Sequence, residues 1–173
     1  MKKLIFVILL ALFCFSFGCV NTENQSVNVQ KQEAEQVNWY QLSDTRLWLA
    51  KQEKKCVFIY FHYQSCAGCA LFKHTVLKDP KIVKKINSNF MPVMVSSLDS
   101  NFSYAVKKFD VHIVPRFVIL DYTHGNEIMR GGFLEVEQLS VALDLAVLIS
   151  NLINTSHTLQ NSGDSVINPF VKP

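Results

Sequence analysis

Two cysteines three positions apart give this chain its clearest chemical signal. The tetrad Cys66-Ala67-Gly68-Cys69 stands between an apolar run, residues 57–61, and a segment with helical periodicity. Thiols at this spacing can close on each other as a disulfide. If a helix begins at Cys66, its unpaired backbone amides and its dipole stabilise a thiolate there, with Cys69 about one turn later. The tetrad therefore predicts an attacking sulfur, Cys66, and a resolving sulfur, Cys69.

Metal binding and a purely structural role are the alternatives for this pair. A structural zinc site normally needs a second pair of Cys or His ligands, and the sequence has none with suitable spacing. The pattern thus favours redox chemistry, with half of a zinc site or two unrelated buried cysteines as the competing interpretations. We expect no resident metal and no cofactor.

The N-terminus has the composition of an export signal. Two lysines precede an almost entirely apolar run, residues 4–17, and the sequence turns polar soon after Cys19. This run is short for a membrane-spanning helix. Because Gly18 stands directly before Cys19, the segment resembles a bacterial lipoprotein signal, in which the cysteine is lipidated and becomes the first mature residue. We expect lipid attachment at Cys19; an uncleaved membrane anchor or ordinary secretion are the alternatives.

The neighbours of Cys19 bear on its processing and destination. Ser16 and Phe17 depart from the leucine and the small residue that lipoprotein signals favour at these positions. Val20 is not the aspartate that retains many such lipoproteins at the inner membrane. We expect a lipid-anchored protein of the bacterial cell envelope that faces the periplasm, with the outer membrane favoured over the inner one.

The charge balance argues against nucleic-acid binding. The chain has 17 basic and 14 acidic side chains, and loss of Lys2 and Lys3 with the signal lowers its net charge from +3 to about +1. Outside the cytoplasm, dedicated partners would set the redox state of a CxxC pair. The remaining cysteine of the domain, Cys56, starts an apolar strand and is expected to be a buried, inert thiol.

Composition divides the chain into four segments. We predict a signal over residues 1–18, a flexible tether rich in Asn, Gln and Ser over 19–37, a folded domain over 38–154 and a polar tail over 155–173. Within the domain, residues 57–62 are apolar on both faces, which predicts a central strand covered by helices on each side. Other strands are predicted at 90–95, 117–120 and 127–130, and helices near 39–51, 66–77, from 80, 99–109 and 135–153.

This order of elements resembles the thioredoxin fold, over about residues 38–154. Two motifs carry the resemblance: FHYQSCAGC at residues 61–69 and VHIVP at residues 111–115. The segments LKDPKIV at 77–83 and FMPV at 90–93 are further similar to an exported branch that includes the C-terminal domain of the inner-membrane electron-transfer reductase. The resemblance implies an α/β fold with a central mixed β-sheet flanked by helices on both faces.

The resemblance also implies a role for each site residue. Cys66 attacks a substrate disulfide, and the more buried Cys69 resolves the mixed disulfide. Pro115 is expected to have a cis peptide bond and to lie against the two sulfurs. Val114 would then offer main-chain groups to an extended substrate peptide, which would bind as an added strand.

Several positions depart from the family pattern. Ser65 replaces the usual Trp, and Ala67-Gly68 replaces Gly-Pro. Tyr60 occupies the place of a buried aspartate that assists proton removal from the resolving cysteine, and the companion lysine on the next strand is missing. Deprotonation of Cys69 would then depend on water, on Tyr60 or on His62. We expect His62 to be a solvated polar side chain, with the role of a base as the alternative.

Three functions fit these observations. The leading hypothesis is a membrane-tethered thiol:disulfide oxidoreductase that acts on disulfide-containing exported proteins and is served by a membrane or periplasmic thiol reductant. The resemblance to the reductase branch favours a reducing or isomerising direction, whereas Val114 before the proline is typical of oxidising members. The second hypothesis is a copper carrier that binds Cu(I) through Cys66, Cys69 and His62. The third is a binding lipoprotein without catalysis.

Overall fold

Ten elements make up residues 36–163, the part of the chain that this computed structural model describes. In chain order they are β1 (Tyr40–Gln41), α1 (Asp44–Gln52), β2 (Cys56–His62), α2 (Ala67–Thr75), α3 (Pro80–Asn89), β3 (Phe90–Ser96), α4 (Phe102–Lys108), β4 (Arg116–Leu120), β5 (Glu127–Gly131) and α5 (Val136–Gly163). The predicted export signal and Cys19 lie outside the described residues.

The five strands form one mixed sheet with β2 at its centre. Their order is β1-β3-β2-β4-β5; β3 pairs parallel with both β1 and β2, and β4 pairs antiparallel with both β2 and β5. Every residue of β2 from Cys56 to Phe61 is buried. The prediction of a central strand covered on both faces is therefore confirmed.

Alternation along β2 divides the core into two layers. Phe58 and Tyr60 belong to the layer covered by α2, α3 and α5, whereas Val57, Ile59 and Phe61 belong to the layer covered by α1 and α4. Successive side chains of a strand point to opposite faces. His62 therefore lies on the same face as Tyr60, the face on which α2 packs.

Side chains that cap the helix N-termini determine where α1 and α3 begin. Asp79 is the N-cap of α3: its Oδ1 accepts hydrogen bonds from the amides of Lys81 (2.9 Å) and Ile82 (3.3 Å), and Pro80 occupies the first helical position. Ser43 caps α1 in the same way, and its hydroxyl accepts a hydrogen bond from the Arg46 amide. The helix predicted from residue 80 thus starts with a side-chain cap and a proline.

The first predicted helix is shorter than expected. Residues Tyr40–Gln41 pair with β3 as an edge strand, and the helix starts only after Ser43. Val37, the last residue of the predicted tether, is buried in the core. Helix spacing in the sequence does not distinguish a two-residue edge strand from a first helical turn, because so short a segment contains too few apolar residues to show either period.

The last helix is longer than expected. It continues to Gly163, ten residues past the predicted end at Ile153, because no proline or glycine interrupts this stretch. Residues Val136–Leu159 are long and apolar enough to cross a membrane by length and composition. Leu139, Leu143 and Ala146 nevertheless bury one side of the helix against the sheet, which makes α5 a core helix of this domain.

Candidate active site

The tetrad lies where the central strand leads into a helix. β2 ends at His62, and Cys66 is the N-cap of α2, with extended backbone (φ −94°, ψ 108°). Its Sγ accepts a hydrogen bond from the backbone amide of Cys69 at 3.1 Å, and its carbonyl accepts one from Ala70 at 3.0 Å. The sulfur thus takes the place that an N-cap oxygen holds in other helices. The helix begins at the tetrad, as the sequence predicts.

Cys66 and Cys69 are joined as a disulfide, with their Cα atoms 5.2 Å apart. Cys66 is half-buried, whereas Cys69 is 3% exposed. An incoming thiol or disulfide can therefore reach Cys66 and not Cys69. When the bond opens, the free amides and the dipole at the helix N-terminus favour a thiolate on Cys66.

Pro115, directly before β4, lies beside Gly68 of the tetrad. The Val114–Pro115 peptide bond is cis, as the resemblance implies. A β-carbon built on Gly68 would lie 3.6 Å from Pro115 Cδ, in ordinary van der Waals contact, which places the proline ring beside the residues between the two cysteines. Val114 is half-buried next to it and Ile113 is exposed. The structure thus brings both motifs together.

Tyr60 replaces the family's buried aspartate with a different function. The side chain is fully buried, and its hydroxyl donates a hydrogen bond to the carbonyl of Cys69 at 3.1 Å. Burial raises the pKa of Tyr60 to about 12, so the phenol keeps its proton at neutral pH. The Tyr60 hydroxyl therefore holds the backbone of Cys69, and the protonated phenol provides no base at neutral pH. Met94 pairs with Tyr60 on β3, at the neighbouring position where a lysine is missing.

His62 is not the solvated side chain expected from the sequence. It is half-buried, and its ring stacks on Tyr60 with centroids 5.5 Å apart and planes 12° apart. Its Nε2 is enclosed, and no group in the described part of the chain forms a hydrogen bond with it. Burial lowers the pKa of His62, and the positive charge of Lys73 lowers it further, while the Tyr63 main chain and Asp99 act in the opposite direction. The imidazole is consequently neutral near pH 7.

His62 and Cys69 both line a cavity of about 200 Å³. Its walls are formed by β2, the following turn and the first two turns of α2: His62, Tyr63, Gln64, Cys69, Ala70, Lys73 and His74. His74 is exposed. The enclosure of His62 could not be read from the sequence, because it depends on how α2 packs over the end of β2. The sequence does indicate that His62 lies on the same face of the strand as Tyr60, because it follows Tyr60 by two residues.

Other predicted site residues are separate from this region or untested. Cys56 is a free thiol, 2% exposed, at the opposite end of β2. Its burial matches the expectation of an inert thiol, and burial also raises its pKa. Within residues 36–163, no group of three His, Cys, Asp or Glu side chains is placed to hold a metal ion. The proposed lipid attachment at Cys19 lies outside this range and stays a prediction.

Sequence and structure comparisons identify relatives of the domain. The family model described as a thioredoxin-like domain matches residues 44–146. No curated protein is similar enough in sequence to count as a match.

Solved structures share the fold at low sequence identity. A thioredoxin from Thermus thermophilus is 23% identical, with a TM-score of 0.61 over 70% of this chain and 95% of its own. The oxidised C-terminal domain of Neisseria meningitidis DsbD is 16% identical, with a TM-score of 0.51 over 62% of this chain and 99% of its own. The DsbH oxidoreductase is 19% identical, with a TM-score of 0.53 over 64% and 88%.

The fold predicted from the two motifs is therefore confirmed. The sheet order, the capped tetrad and the cis proline agree with the family match over residues 44–146. This chain belongs to the thioredoxin-like family.

Proposed function

We propose that this protein is a thiol:disulfide oxidoreductase that exchanges disulfides with exported proteins, in the reducing or isomerising direction. The position of Cys66 carries the proposal. Its sulfur is reachable at the N-terminus of α2 and accepts the amide hydrogen of Cys69, while Cys69 is buried behind it. A polar N–H pointed at one sulfur of a CxxC pair favours a thiolate on that sulfur and makes it the nucleophile.

The catalytic cycle follows from this asymmetry. In the reduced protein, the Cys66 thiolate attacks one sulfur of a substrate disulfide, and the other substrate sulfur leaves as a thiolate that takes up a proton. Cys69 then attacks Cys66 Sγ and releases the second substrate sulfur, so that two electrons pass to the substrate and the protein becomes oxidised. A thiol reductant of the membrane or periplasm returns the pair to the dithiol.

The surroundings of Cys66 suit a polypeptide substrate. Ile113, 67% exposed, precedes Val114, and Tyr63 exposes its ring in the turn before Cys66. Exposed apolar side chains beside a reactive sulfur offer contacts to an unfolded or extended chain. The main chain of Val114, next to the proline, would pair with such a chain as an added strand.

Export and tethering complete the proposal. The charged and apolar segment before Cys19 supports translocation, and Gly18 before Cys19 supports lipid attachment. The DsbD domain and the DsbH oxidoreductase, which share the fold, are consistent with an envelope location facing the periplasm. We place the anchor in the outer membrane rather than the inner one because Val20 follows Cys19.

Reduction of insulin disulfides by the purified protein tests the activity. With dithiothreitol as the electron source, the protein should accelerate insulin precipitation, and Cys66→Ser should lower the rate to that of dithiothreitol alone. Cys69→Ser should accumulate a mixed disulfide between Cys66 and a substrate cysteine. A wild-type pair that never cycles and instead binds Cu(I) tightly would contradict the proposal and favour the copper carrier.

Expression of the full chain in a Gram-negative host tests the anchor. Wild-type protein should sediment with outer membranes and incorporate radiolabelled fatty acid. Cys19→Ala should abolish the label and should release the protein or leave it with an uncleaved signal. Equal labelling of the two proteins would exclude Cys19 as the attachment site.

A further inference from the structure

We propose that His62 is the proton acceptor that activates Cys69 in the resolving step. The inference rests on the proposed function, since it assigns a role within the same disulfide exchange. It is carried by three features of the structure: the shared cavity, the enclosed Nε2 and the stacking of His62 on Tyr60.

The shared cavity places the two groups together. His62 ends β2 and Cys69 belongs to the first turn of α2, and both form the wall of one cavity of about 200 Å³. Nε2 is closed to water and makes no hydrogen bond to either disulfide sulfur, so proton transfer requires Cys69 and His62 to approach each other across this space when the disulfide opens.

The enclosed nitrogen lacks a partner in the oxidised protein. While Cys66 and Cys69 are joined, no group within residues 36–163 forms a hydrogen bond with Nε2 of His62. A buried polar atom without a hydrogen bond destabilises the protein. Opening the disulfide creates an S–H donor on Cys69, and a bond from this donor to Nε2 would remove this destabilisation. The same bond prepares the thiol for loss of its proton.

Neighbouring groups keep His62 in its basic form. Burial and the charge of Lys73 lower its pKa, whereas the Tyr63 main chain and Asp99 raise it; the exposed His74 also lines the cavity. A neutral imidazole provides one acceptor nitrogen. Tyr60 does not compete as a base, because its phenol stays protonated and is committed to the Cys69 carbonyl.

The proton and electron balance of the step is complete. In the mixed disulfide, Cys69 S–H gives its proton to His62 Nε2, and its sulfur forms a bond to Cys66 Sγ. The bond between Cys66 and the substrate sulfur breaks, and the leaving thiolate takes the proton from the imidazolium. His62 returns to neutrality, the protein dithiol is oxidised by two electrons and the substrate is reduced. Run backwards, the imidazolium protonates the Cys69 thiolate.

The rate of the resolving step as a function of pH tests this role. Protein with glutathione attached at Cys66 is prepared, and release of glutathione is followed by rapid quenching between pH 5 and 9. The wild-type rate should rise through the ionisation of His62 and then level off around neutral pH. His62→Gln should release glutathione about a hundredfold more slowly at pH 7, a typical loss when a general base is removed. Its rate should keep rising with pH, as hydroxide replaces the base.

Two further variants separate this role from a structural one. His74→Gln, the same change at an exposed position of the cavity wall, should keep the wild-type profile. Lys73→Gln should move the rise to higher pH, since loss of the positive charge raises the pKa of His62. If His62→Gln fails to fold, the Lys73→Gln profile decides the question. A wild-type profile in folded His62→Gln, or in Lys73→Gln when it must decide, overturns the inference. A wild-type protein that releases no glutathione instead contradicts the proposed function.

Discussion

Strand β2 begins at one cysteine and leads at its other end to a second, and the two thiols have opposite surroundings. Cys56 is 2% exposed, and its pKa is raised above all by burial. Cys66 is half-buried at a helix N-terminus, where its sulfur accepts an amide hydrogen. The strand spans about 20 Å at roughly 3.3 Å per residue. The same residue type thus fills the core at one end and, in the proposed exchange, serves as the nucleophile at the other.

The difference shows what a reactive thiol requires from the fold. Parallel strands end beside the N-termini of the helices that follow them, where backbone amides lack partners. The sulfur of Cys66 accepts a hydrogen bond from such an amide, that of Cys69. At the other end, Cys56 meets Ser150 and Tyr122, whose contacts lower its pKa but do not outweigh burial. The reactivity expected of each thiol therefore depends on the end of β2 at which it lies and not on the residue type.

Alkylation of the reduced protein should give the largest contrast between the two ends. At pH 7, iodoacetamide should modify Cys66 at least roughly tenfold faster than an unperturbed thiol, because a thiolate is the reacting form. Cys56 should remain unmodified until the protein is unfolded. Peptide mass spectrometry over time measures both rates. Labelling of Cys56 in the folded protein at a rate like that of Cys66 would break the comparison.

Alkaline unfolding should depend on the buried phenol beside the active thiols. The pKa of Tyr60 is raised to about 12, so the unfolded state loses this proton first as pH rises above the ordinary value of 10. The stabilisation is complete below pH 10 and is lost toward pH 12, by up to about 2–3 kcal/mol. Urea titrations at pH 9, 10.5 and 11.5 should show a steeper loss in wild-type protein than in Tyr60→Phe. Equal losses of unfolding free energy in the two proteins across this pH range would show that burial does not raise the pKa of Tyr60.

At neutral pH the same substitution should have a smaller effect. Tyr60→Phe keeps the ring but removes the hydrogen bond to the Cys69 carbonyl, which should lower the free energy of unfolding by about 1 kcal/mol. Tyr122→Phe is the matched control near Cys56, where the hydroxyl makes a 3.4 Å bond to Asn151 at the surface. Its cost should be smaller, because water replaces an exposed partner. Equal losses of unfolding free energy in the two variants would mean that the hydrogen bond from Tyr60 to the Cys69 carbonyl does not stabilise the protein.

Features encoded by local sequence were predictable. The apolar run of β2 and the start of α2 at the tetrad each depend on neighbouring residues, and both appear as expected. The fold followed from the resemblance carried by the tetrad and Pro115. These motifs constrain backbone conformation directly, so they can be recognised without knowledge of the packing.

Features set by packing were not predictable in the same way. From the sequence, His62 is predicted to be a solvated polar residue at the end of a strand. Its Nε2 is enclosed because α2 packs over the end of β2. The short strand β1 requires β3 as a partner. The end of α5 is different, since the sequence marks it: no Pro or Gly occurs between Ile153 and Gly163. Val37 reads as part of a polar tether, yet it is buried in the core.

A redox titration tests the central claim most directly. The full-length protein is equilibrated with mixtures of reduced and oxidised glutathione, quenched with acid and analysed by peptide mass spectrometry. We predict that Cys66 and Cys69 convert reversibly between dithiol and disulfide across the series, while Cys56 stays a free thiol throughout. A Cys66–Cys69 pair that stays in one state in every mixture, or a disulfide that includes Cys56, would contradict the assignment of the tetrad as the redox centre.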